Sequence, residues 1–88
     1  MFYVYLLKSK KDDNYYIGQT NDIKKRADMH SKGKVSSTKY RRPLKLLGYE
    51  MHKTREGARW REYQLKHHSD KKKEFIEQCL KLSKNTGE

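Results

Sequence analysis

The chain opens on an unbroken apolar and aromatic run, FYVYLL at residues 2–7. A short run with no polar alternation has the pattern of a strand buried on both faces. The seven residues that follow, KSKKDDN, are polar and turn-like, with Asp13-Asn14 suited to a tight reversal. Tyr15–Gln19 then reads as the returning strand, and the two segments predict a hairpin. Gly18 falls where that strand ends, a position that permits close backbone approach.

Little material remains to cover these strands. Of 88 residues only 33% are hydrophobic and 38% are charged. That predicts one domain, near the lower size limit for a core without staples, its edges covered by Lys and Arg stems. A single cysteine, Cys79, precludes an internal disulfide framework and fits a reducing, cytoplasmic compartment. No apolar run approaches the roughly 18 residues needed to span a bilayer. The opening run has its charges after it rather than before it, unlike a secretory signal. A net charge of +11 points to polyanions, nucleic acid first. A merely solvated surface is the plainer alternative. A membrane-surface role is disfavoured, since no long basic helix carries bulky apolar anchors.

Beyond the hairpin, Thr20 or Asn21 is placed to cap a helix with Asp22 in its first turn, running to Ser31 or Lys32 and ending at Gly33. Residues 33–43, GKVSSTKYRRP, form a basic loop without apolar period. Leu44–Met51 is the third strand. Thr54 caps a second helix reaching about His68, and Ser69 with Asp70 opens a third, where Phe75, Ile76, Cys79 and Leu80 form an apolar stripe. The expected architecture is α+β: a small three-stranded antiparallel-type sheet flanked by about three helices. Residues 1–82 make the domain, and 83–88 a polar tail.

Two helices carry polar residues where apolar ones are expected. Ile23, Ala27 and His30 share one face of the first helix, bordered by Arg26. Position alone allows a snorkelling Arg26 and a half-buried His30 bonded to a backbone carbonyl. In the second helix Glu62 lies in line with Ala58 and Leu65. Either it pairs with Arg59 or Arg61, or it holds a hard cation such as magnesium at a concave surface. His67 and His68 are adjacent and point apart, a poor zinc pair, and no nucleophile elbow or glycine-rich phosphate loop is present.

In order, the chain presents Tyr3-Val4-Tyr5, Tyr16-Ile17-Gly18, Arg26, His30 and Glu62, with STKYRRPLKLL between the first helix and third strand. This set resembles the GIY-YIG nuclease family, in particular its small stand-alone bacterial members, over about residues 2–67. The resemblance implies that Tyr5, Tyr16, Arg26 and His30 surround a scissile phosphate and that Glu62 binds one divalent metal, Mg2+ or Mn2+. Arg26 would stabilise phosphate charge, Tyr5 with His30 would orient or deprotonate water, and Tyr16 would support them. Tyr3 stands where the first motif has glycine, and Gln19 where some members have lysine. No downstream homing-type Asn and no second DNA-binding module is visible, which implies weak sequence preference.

The leading expectation is therefore a metal-dependent endonuclease on single-stranded, branched or duplex DNA, working as a monomer or weak homodimer. Lys24, Lys25, Lys34, Lys39, Arg41 and Arg42 are candidate phosphate contacts, and Tyr40 a candidate base-stacking residue. The shallow basic site and aromatic loop favour single-stranded or distorted DNA. Two rivals stand: a nucleic-acid-binding module without catalysis, and a domain whose basic face meets an acidic protein.

Overall fold

Strand β1 (Phe2–Ser9) occupies the middle of the sheet and is covered on both faces, which explains why its sequence does not alternate. The computed structural model describes residues 1–86. Along them follow β2 (Tyr15–Thr20), α1 (Ile23–Ser31), a single 3-10 turn (Lys39–Arg41), β3 (Leu44–His52), α2 (Arg55–His67) and α3 (Ser69–Thr86). The three strands lie in the order β2-β1-β3 with antiparallel neighbours throughout. Val4, Tyr5, Leu6 and Leu7 are all buried.

Because successive side chains point to opposite faces of a strand, this run divides in two. Val4 and Leu6 join Ile17, Ala58 and Leu65 of α2, and Phe75 and Cys79 of α3. Tyr5 and Leu7 turn the other way, where Ile23, Arg26 and Ala27 of α1 and Leu46 of β3 close around them. One helix thus covers one face and two helices the other. Full burial of a Leu or Phe contributes roughly 1.5–3 kcal/mol, so a core this small depends on each member. Leu80, on the expected stripe of α3, remains 42% exposed.

The caps follow short-range chemistry with one correction. Asp22, not Thr20 or Asn21, caps α1: it is extended, and its carboxylate accepts from Lys25 N at 3.1 Å. Thr20 Oγ1 instead accepts from Asp22 N. Gly33 follows α1 with φ +74°, and a Cβ there would come within 2.7 Å of the Arg42 guanidinium carbon. Thr54 caps α2 as expected, accepting from Gly57 N. Helix α3 runs to Thr86, and residues 87–88 of the expected polar tail lie outside the described residues.

The aperiodic loop 33–43 is fastened by a residue the sequence does not advertise. Buried Ser9 takes the backbone N–H groups of Lys11 and Asp12 on its hydroxyl oxygen, shaping the hairpin turn in which Asp13 has φ 61°. The same hydroxyl donates to Arg41 O at 2.6 Å, and Lys10 N donates to Pro43 O at 2.8 Å. The hairpin turn and the loop are therefore one structure.

Candidate active site

Tyr5 and Gly18 are direct cross-strand partners. Their side chains would share a face, and only the absence of one at Gly18 gives the Tyr5 ring room to lie across β2. A Cβ on Gly18 would meet the Tyr5 hydroxyl oxygen at 2.5 Å. Two residues before Gly18, on the same face, Tyr16 stacks on Tyr5 with ring centroids 6.3 Å apart and planes 5° from parallel. The paired tyrosines of the two strands thus reach one place.

Helix α1 lies over that place. Arg26 Nε donates to the Tyr5 hydroxyl at 3.3 Å, and His30, one turn on, brings Nε2 to 2.9 Å from the same oxygen. The His30 ring also meets Tyr16 edge to face. Among the described residues the His30 ring bonds no backbone carbonyl; Nδ1 instead lies 2.7 Å from the hydroxyl of fully buried Thr38, in the basic loop. Nδ1 carries the proton in the tautomer that pairs every group: Tyr5 O–H donates to Nε2, Nδ1–H to Thr38, and Thr38 O–H to Val35 O at 3.5 Å. Ser37, beside Thr38, donates to the Tyr16 hydroxyl at 3.4 Å.

Burial sets the protonation states. It depresses His30 first, with the Arg26 charge adding to the effect, to a pKa of about 4. His30 is thus a neutral imidazole at pH 7. Burial raises the Tyr5 hydroxyl above the ordinary tyrosine range, against the pull of the Arg26 hydrogen bond; Tyr16 and Glu62 add to the rise. The Tyr5 hydrogen bond in turn holds Arg26 above its usual range, a permanent cation.

Glu62 enters from α2, between the buried Ala58 and Leu65. Its partner is not Arg59 or Arg61: Lys66, one turn on, donates to Glu62 Oε2 at 2.9 Å, while Arg61 pairs with Glu50 at 2.7 Å. Lys66 Nζ also sits 5.6 Å from the Tyr16 ring centroid, linking the carboxylate to the tyrosine pair. Among the described residues no three His, Cys, Asp or Glu side chains converge on a point. Glu62, with 22% of its side chain exposed, is a lone hard oxygen donor. That suits a cation such as magnesium, which takes one or two carboxylates and completes its shell with water and phosphate oxygens.

This constellation can be compared with known proteins. The family profile of the GIY-YIG catalytic domain matches residues 1–74. The chain belongs to the GIY-YIG family. It is 41% identical over 78 residues to the UPF0213 protein YazA of Bacillus subtilis, covering 86% of this chain and 78% of that protein. It is 42% identical over 72 residues to the UPF0213 protein SSP2268 of Staphylococcus saprophyticus, covering 81% of this chain and 87% of the relative. No solved structure matches. The family is one of nucleases that generally use a divalent metal, and its α+β fold is the one observed.

Within this GIY-YIG domain the other candidates distribute over separate surfaces. Arg41 lines an open groove beside Tyr16, together with Ser37, Lys66 and Lys72. It is also held by Asp12 at 3.2 Å and by Tyr15 O at 3.4 Å. Lys39, Tyr40 and Arg42 line a different groove with Lys11 and Ser31, where Lys39 Nζ lies over the Tyr40 ring. Lys24 borders a third depression beside Tyr3 and Tyr49; Lys25 and Lys34 are exposed. Tyr3 packs edge to face on Tyr49, and Lys8 covers Tyr15. Sequence reasoning missed Thr38, Ser37, Lys66 and Lys72. For Lys66 the i, i+4 spacing from Glu62 was an available signal.

Proposed function

We propose that this chain is a divalent-metal-dependent endonuclease that hydrolyses DNA phosphodiesters with low sequence preference. The observation that carries the proposal is one oxygen, the Tyr5 hydroxyl, bonded to both Arg26 Nε and His30 Nε2 beside the Tyr16 ring. Arg26 spends its Nε on Tyr5 and keeps its terminal N–H groups for a phosphate oxygen. Tyr5, accepting from Arg26 and donating to His30, retains a lone pair with which to orient a water. His30 stays neutral and positions Tyr5 rather than removing a proton. Glu62 is the residue that would hold Mg2+ or Mn2+. The ion would supply Lewis-acid stabilisation of charge developing on the phosphate.

The Lys66–Glu62 pair favours the rival reading of a binding module, in which the carboxylate merely balances a lysine. The test is cleavage of labelled single-stranded, duplex and branched DNA with magnesium or manganese, beside Glu62→Gln and Arg26→Ala. We expect cleavage by the wild type that chelator and both folded variants abolish. Binding without cleavage under every condition would overturn the enzyme and leave the module.

A further inference from the structure

The outer face of α2 carries a ladder of exposed aromatic rings that no other element covers among the described residues. Trp60 and Tyr63 stack with centroids 5.7 Å apart and planes 11° from parallel. Tyr63 in turn lies 4.2 Å from the His67 ring. Despite this mutual packing Trp60 is 61% and Tyr63 52% exposed, an unusual surface for a chain with so few apolar residues. At roughly 100° per residue, positions 60, 63 and 67 fall on one stripe, opposite the core residues Ala58 and Leu65.

Between that stripe and Glu62, the same helical geometry places Arg59 and Lys66. Arg59 is exposed, and Lys66 reaches both Glu62 and Tyr16. Going round the helix, one therefore passes from stacked rings to cations to the candidate metal-binding carboxylate. An apolar protein partner would meet this cationic border at a desolvation cost. An unpaired nucleic-acid strand has both a flat π face for each ring and an anionic backbone for the border.

We propose that Trp60, Tyr63 and His67 form a stacking platform for unpaired nucleobases, and that Arg59 and Lys66 carry the intervening phosphates toward Glu62. The link to Glu62 rests on the nuclease reading; the platform itself does not. A base laid on the open face of Trp60 continues the ladder, while paired bases of a duplex present no free face. The platform therefore selects single-stranded or frayed DNA over closed duplex.

Trp60 is the chain's only tryptophan, so its fluorescence reports the platform directly. The protein, in chelator so that nothing is cleaved, is titrated with oligothymidylate and with a blunt duplex of equal length. Fluorescein anisotropy of both DNAs is then followed with Trp60→Ala and Tyr63→Ala, after circular dichroism has confirmed their folding. Saturable quenching by the single strand, little by the duplex, and about tenfold weaker single-strand binding in each variant are expected. Unchanged single-strand affinity in both variants would overturn the platform. So would equal losses on both DNAs, or self-association of the wild type that Trp60→Ala abolishes, which would assign the rings to a second copy. A protein that shows the expected binding pattern yet never cleaves DNA with metal retains the platform and loses the nuclease. One that cleaves but binds identically in the variants does the reverse.

Discussion

The Tyr5 hydroxyl and His30 Nε2 stand 2.9 Å apart, and this contact joins the central strand to the helix across it. Since His30 is 1% exposed, a proton on its imidazole would place a charge out of reach of water. Its folded pKa is about 4, against an ordinary value of 6.5.

Stability therefore depends on pH in a defined window. Between about 4 and 6.5 the unfolded chain binds the proton that the folded one refuses, so stability rises with pH and levels off above the window. From His30 alone, urea unfolding should give about 2 kcal/mol more stability at pH 7 than at pH 5. In His30→Gln that difference should shrink markedly. An equal pH dependence in wild type and variant would contradict the buried, neutral imidazole.

Thr38 is the partner that keeps this imidazole in one tautomer. Thr38→Val preserves shape but leaves the buried Nδ1–H unpaired, which should cost about 1–3 kcal/mol. Thr38→Ser retains the hydroxyl and should cost about 1 kcal/mol for its lost methyl. Thermal melts order the two, and cleavage rates should fall in the same order, with valine the slower.

Gly18→Ala should separate assembly of the site from the rest of the fold. The added Cβ, 2.5 Å from the Tyr5 hydroxyl, must drive the ring away from Arg26 and His30. Overpacking of this kind costs about 1–3 kcal/mol. Displacement of a reacting group by an ångström can cost on the order of 100-fold in rate, so cleavage should fall far more than stability. Cleavage at wild-type rates would mean that Tyr5 does not act where it lies.

The Glu62–Lys66 pair predicts opposite responses to metal. The pair is partly exposed, with Lys66 at 47%, so Glu62→Gln should shift stability by less than about 1 kcal/mol while metal-dependent cleavage disappears. Lys66→Met releases Oε2, and the manganese concentration for half-maximal cleavage should fall several-fold. A rise instead would show that Lys66 assists rather than competes.

Much of this protein is written in local spacing. The unbroken FYVYLL run predicts a strand covered on both sides, and β1 is central; Thr54 and Gly33 mark helix ends because capping chemistry acts over three or four residues. Helical period places Arg26 and His30 on the face that meets Tyr5, and Glu62 in line with the core of α2. Period does not name the group across the gap. Whether His30 would find a carbonyl or Thr38, and whether Glu62 would find Arg61 or Lys66, depended on packing between elements. Asp22 holds the cap rather than Thr20 or Asn21: β2 runs on through Thr20, whose Oγ1 accepts from Asp22 N instead. The loop at 33–43 has no period at all, so its attachments to Ser9, Lys10, Asp12, Tyr15 and Tyr16, some twenty to thirty residues earlier, set Thr38 against His30. Local sequence marked the candidate site residues; long-range contacts chose their partners, because a side chain's reach across a fold leaves no trace in its spacing along the chain.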